Sequence, residues 1–168
     1  MERLQSDLLS TRPTRPPSAA ERWFRAGAEL VRIGRYPEAV EPLEQALAYS
    51  VDEPNASYMR SLRSCYGIAV AMARGDVARG RRLCEDAIAG GPLDAELYVN
   101  LARVYLRAGR KDLAIEALET GRTMDSRHPG VLHMCAQLGQ RKPPVFAFLD
   151  RGHPLNKYAG KLRHRLLA

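Results

Sequence analysis

No stretch of this chain approaches the roughly 18 consecutive apolar residues that a membrane-spanning helix needs. The opening residues, MERLQSDLLS, carry Glu2 and Asp7 and no apolar run of signal-peptide length. Cysteine is scarce and odd in number: Cys65, Cys84 and Cys135. Each falls in a stretch of helical periodicity, so they read as buried reduced thiols of a cytoplasmic protein, not as a disulfide framework. The recurrent catalytic signatures are missing as well. There is no phosphate-binding glycine loop, no HExxH, no G-x-S-x-G and no CxxC pair. His128, His133 and Cys135 are neighbours in sequence, but His133 and Cys135 stand two apart on a helix and point about 200° from each other. Asp150, His153 and His164 form no recognisable acid/base set. The sequence therefore predicts no catalytic, cofactor or metal site.

What the chain does have is period. Tyr98, Leu101, Ala102 and Tyr105 lie at spacings of 3, 4 and 7, one face of a helix. Ala108-Gly109-Arg110 interrupts the pattern, and Asp112, Leu113, Ala114, Ala117 and Leu118 resume it, with Gly121 beyond. Two short amphipathic helices joined by a glycine turn make an αα-hairpin.

The hairpin recurs. With Ala95 as position 1, Gly109 is position 15, and a shift of 34 residues puts Gly75 in that place. A unit beginning at Ala20 puts Gly34 there. Position 4 is then Trp23, Ser64 and Tyr98; position 24 is Leu43, Cys84 and Leu118. Small residues take positions 20 and 27: Ala39 and Ala46, Gly80 and Ala87, Ala114 and Gly121. Small residues let helices approach and large ones fill the space between. A lone hairpin cannot bury its apolar face, so about three stacked units are needed.

This pattern resembles the tetratricopeptide repeat, W-x2-L-G-x2-Y, then A-x3-F, then P, over 34 residues. The resemblance covers roughly residues 20–139. It departs in the middle unit, where Ile68 takes the small position 8 and Gly80 replaces alanine. It implies an all-α fold, an α-solenoid of about three helix-turn-helix repeats (about 20–53, 61–94 and 95–128), with a capping helix over 129–139. Trp23, at position 4, is expected to pack between helices of the first unit.

Outside the repeats, residues 1–18 read as a flexible N-terminal segment. A short helix over Glu2 to Leu9 fits, and the prolines from Thr11 to Pro17 end it. Ser18 with Glu21 makes a capping box for the first repeat helix. The first two units start 41 residues apart, not 34, so seven residues are extra. Asn55 as the N-cap of a lengthened helix reaching Ala73 accommodates them; a loop of about ten residues is the alternative. Residues 141–168 form a basic extension: seven basic residues and Asp150 give +6 of the net +7. Pro154 opens a terminal helix there with Leu155, Tyr158, Leu162 and Leu166 on one stripe.

The resemblance also implies a concave groove lined by the first helix of each unit. The ligand-facing positions fall on Phe24, Ala28, Val31 and Arg32; then Leu62, Cys65, Ala69 and Met72; then Glu96, Val99, Arg103, Leu106 and Arg107, with Asn100 adjacent. The groove grades from apolar to basic. Arg103 and Arg107, one turn apart, suit a carboxylate or an acidic side chain. Relatives that clamp chaperone C-termini use Lys and Asn where Phe24 and Ala28 stand here, which argues against that role. The expected function is a protein-interaction adaptor, not an enzyme, taking a peptide or helix of a partner protein. Two other readings stay open: a basic tail that holds nucleic acid or an anionic membrane, and a chaperone of the secretion type for apolar segments. The tail would either seal the end of the stack, join a homodimer or stay free.

Overall fold

The computed structural model describes residues 17–51, 55–89 and 94–138, and these form helices and turns with no strand. The order is α1 (Ala19–Arg32), α2 (Tyr36–Ala48), α3 (Ala56–Ala73), α4 (Val77–Ile88), α5 (Ala95–Arg107), α6 (Lys111–Met124) and α7 (Pro129–Gln137). The chain divides into two compact units, Met1–Leu132 and His133–Ala168, with the division inside α7.

In the first unit, α1–α2, α3–α4 and α5–α6 pair as hairpins, α2 packs on α3 and α4 on α5. This is an all-α helical repeat. Local chemistry fixes the ends. Ser18 Oγ accepts from the Glu21 amide at 3.1 Å while Glu21 accepts from the Ser18 amide at 2.7 Å, the expected capping box. Asn55 accepts from the Tyr58 amide and caps an α3 that reaches Ala73; its 18 residues exceed the 14 of α1 and 13 of α5, so most of the extra residues lengthen a helix. Gly34, Gly75 and Gly109 have φ of 80°, 71° and 73° and are the positive-φ residues of the described chain. Each turn needs the left-handed region that glycine enters without a Cβ penalty. At Gly34 and Gly109 a paired bond pattern closes the helix. The Arg35 amide reaches Leu30 O, and the Arg110 amide reaches Tyr105 O at 2.9 Å.

The core follows the repeat. At positions 20, 24 and 27 every unit is buried: Ala39, Leu43 and Ala46; Gly80, Cys84 and Ala87; Ala114, Leu118 and Gly121. Two expectations need correction. Trp23 is 40% exposed, whereas Ser64 and Tyr98 at the same position are buried. The first unit has no hairpin before it among the described residues, so the face that later units pack inward stays open. In the middle unit the small residue that admits the second helix is Gly67, one place before Ile68. Ile68 is itself fully buried elsewhere on α3.

Neighbouring units are also tied by side chains. Tyr66 donates its hydroxyl to Glu44 Oε1 at 2.9 Å, joining α3 to α2, and Arg74 pairs with the same oxygen at 2.9 Å. Tyr105 donates to Glu85 Oε1 at 3.0 Å, joining α5 to α4. Glu44 and Glu85 hold the same place in successive units.

In the second unit, α7 ends at Gln137, Met134 is buried, and Gln137 Nε2 lies 3.0 Å from His133 Nε2. The expectations for residues 1–16, for the basic extension 141–168 and for its helix, capping or dimer role lie outside the described residues.

Candidate functional site

The first helices of the three units, α1, α3 and α5, lie side by side: α1 touches α3 and α3 touches α5. That contact decides which groove positions are open. From Ser64 to Ala71, α3 is buried around its whole circumference, because α1, α2, α4 and α5 all pack on it. The expectation that Leu62, Cys65 and Ala69 face a ligand is therefore corrected: all three are buried, as are Val31 on α1 and Val99 on α5. Their surface is spent on the seams between helices. Burial pushes the Cys65 thiol up to about 12, with Glu96 adding to the shift, so Cys65 is inert near neutral pH.

Toward the first unit the open positions are Phe24 and Ala28, both half-buried. The Phe24 ring meets Tyr58 of α3 edge-on, with centroids 5.2 Å apart. Arg32 is exposed and bonded to Glu29 at 2.7 Å. Met72 at the end of α3 is half-buried.

The polar chemistry gathers on α5. Glu96, Asn100, Arg103 and Arg107 follow one another at intervals of 4, 3 and 4 and share one stripe. Leu106 is half-buried beside them. Asn100 is 1% exposed and donates from Nδ2 to Ser64 Oγ of α3 at 3.2 Å. Whichever way the amide is turned, that hydroxyl satisfies one end only. Asn100 Oδ1 is left buried without a hydrogen-bond partner, and so is Arg103 Nη1. Arg107 is exposed. Glu96 is half-buried; desolvation raises its carboxyl above the ordinary range, while Arg103 and then His128 pull it back.

His128 is the residue that periodicity did not single out for this face. It lies between α6 and α7 and places Nε2 3.4 Å from Glu96 Oε2. A methyl on Gly130 would come within 3.3 Å of the His128 ring and of Val99, so that glycine leaves room for the imidazole. His128 Nδ1 is the third buried polar atom without a partner. No group of three or more His, Cys, Asp or Glu that could hold a metal ion occurs among the described residues.

An unpaired buried donor or acceptor costs about 1–3 kcal/mol. Buried polar groups of this kind are ordinarily met by ordered water or by a bound group. Residues 71–138, which hold α4, α5, α6 and α7, match the family model described as tetratricopeptide repeat. Over those residues the chain is similar to tetratricopeptide repeats. No curated protein matches it. Tetratricopeptide repeats mediate protein–protein interactions, and the family is typically a non-catalytic scaffold. No helix of the described residues is long and apolar enough to cross a membrane.

Proposed function

We propose that this chain is a tetratricopeptide repeat adaptor that captures an acidic segment of a partner protein along α5. The observation that carries the reading is the half-buried Arg103 guanidinium, one turn from the exposed Arg107 on the same stripe of α5. A carboxylate accepts from such a fork through two oxygens, and a partly desolvated site strengthens the bond. Glu96 offsets one of the two positive charges, so the stripe keeps a net attraction for an anion and sets a minimum for the ligand's own charge. Phe24, Met72 and Leu106, each half-buried on the first helices of the three units, offer apolar contact.

A random peptide display library tests this. Selection on the whole chain is expected to enrich segments with Asp, Glu or a free C-terminal carboxylate. Arg103→Glu with Arg107→Glu should weaken a selected peptide at least tenfold, with the circular dichroism spectrum unchanged. Unaltered affinity removes α5 from the site. The basic extension is the competing element, and salt separates the two. Binding through residues 141–168 to nucleic acid or an anionic membrane should collapse between low and moderate salt. A half-buried carboxylate flanked by apolar contacts should weaken only modestly.

A further inference from the structure

Glu96 is the one acid on α5, and the fold sets a histidine against it. Glu96 lies in the first turn of α5, directly after the Asp94 cap. His128 lies in the connection from α6 to α7, where its amide donates to the Asp125 carbonyl at 3.3 Å and its own carbonyl accepts from the Leu132 amide at 3.1 Å. Gly130 leaves room for the imidazole beside Val99 of α5. The two side chains thus meet at ion-pair distance, His128 Nε2 to Glu96 Oε2 3.4 Å, with His128 mostly buried. The stripe continues from Glu96 through Asn100 to Arg103 and Arg107. Desolvation acts most strongly on the Glu96 carboxyl and raises it; Arg103 and then His128 pull it down. The pair and the arginines therefore feel one another's charge.

We propose that the Glu96–His128 pair regulates the anion site of α5 by taking up a proton, so that an acidic segment is held more tightly as the solution is acidified. The proposal rests on the adaptor reading of that stripe. With the imidazole neutral and the carboxyl ionised, Glu96 cancels one of the two arginine charges. A proton taken up by the pair ends that cancellation, whether the imidazolium holds it against the carboxylate or the carboxyl itself carries it. Two groups this close titrate as a unit. Either way the positive charge offered to the ligand rises by one. Imidazole ordinarily changes charge between about pH 5 and 8, whereas the ligand's own carboxylates stay ionised above about pH 5. The other charges around the pair are engaged elsewhere. Asp94 accepts from the Glu96 amide, and Asp125 accepts from the Arg127 amide at 2.9 Å with both residues exposed. Pro129 to Leu132 carry no charge, and α3 contributes Cys65, which burial keeps protonated. By reciprocity, the anion favours the proton as much as the proton favours the anion.

Calorimetry across that range tests this. An acidic peptide selected on the whole chain is titrated at about pH 8, 7 and 6 into the parent, Glu96→Gln, His128→Gln and Arg103→Glu/Arg107→Glu, each shown to be folded by circular dichroism. The parent should tighten at least threefold from the highest pH to the lowest, and binding should take up protons, read from buffers of different ionisation heat. Glu96→Gln should flatten the profile and hold the peptide at the highest pH as tightly as the parent does at the lowest. His128→Gln should move the rise to more acid pH. Equal parent affinity at all three pH values, with at least a tenfold loss in the arginine variant, would overturn the switch and leave the adaptor reading standing. A rise that persists unchanged in Glu96→Gln would also overturn it, by assigning the proton to the peptide. An arginine variant that binds like the parent would overturn the adaptor reading and the switch together.

Discussion

Gly67 of α3 and Gly80 of α4 face each other at contact distance. A methyl on Gly67 would lie 2.8 Å from the Gly80 carbonyl oxygen, and one on Gly80 would lie 2.5 Å from that of Gly67. Backbone cannot yield as a side chain can. Gly80→Ala should therefore destabilise the protein by about 1–3 kcal/mol, although alanine is intrinsically the better helix former by about 1 kcal/mol. Denaturant melts decide it. A variant more stable than the parent would mean the two helices stand further apart.

Leu43 has no exposed surface and fills the space that Gly27 leaves open, since a methyl there would meet its Cγ at 2.5 Å. Leu43→Ala should cost about 2–5 kcal/mol, read as a shift of the melting midpoint in denaturant at constant slope.

The Tyr66–Glu44 bond joins the first two hairpins. Tyr66→Phe keeps the ring and removes the donor, and should cost about 1 kcal/mol. The two-state slope should stay unchanged if the hairpins still melt together. Separate transitions would show that this bond maintains the cooperativity.

Glu96 gives a pH prediction with a definite sign. Its carboxyl is raised in the folded chain, so folding favours the protonated form. Stability falls as pH rises through the ordinary carboxylate range toward the raised value. Glu96→Gln removes that dependence. The variant should match the parent in acid and melt at a higher temperature near neutral pH. A variant that melts lower at neutral pH would show that the contact with His128 outweighs desolvation.

The first helix of each unit was legible in the sequence because three signals coincide there: a 3.6-residue period, a cap (Ser18, Asn55 or Asp94), and a glycine of positive φ after its end (Gly34, Gly75 or Gly109). Even the lengthening of α3 could be read, because Asn55 offers a cap ahead of the repeat frame. The face that α3 turns to its partner was not legible. Gly67 and Ile68 are adjacent, and only packing shows that the close approach falls on the glycine. The groove was overdrawn for a similar reason. A position pattern names the side of a helix but not how tightly the next helix lies against it, so Leu62, Ala69 and Val99 read as open when they are buried. His128 lies between helices, outside any period. The recurrence of glutamate at 44 and 85 was the available sign of the Tyr–Glu ties.

Charge exchange across the binding contact tests the α5 reading most directly. An acidic peptide selected on the whole chain is titrated, by calorimetry, into the parent and into Arg103→Glu/Arg107→Glu. The same peptide with its acids changed to arginine is titrated into both. The predicted result is a crossed pattern: the acidic peptide prefers the parent at least tenfold, and the basic peptide prefers the variant. If the two peptides keep the same order of affinity for both proteins, the arginines of α5 do not meet the ligand and the account is contradicted.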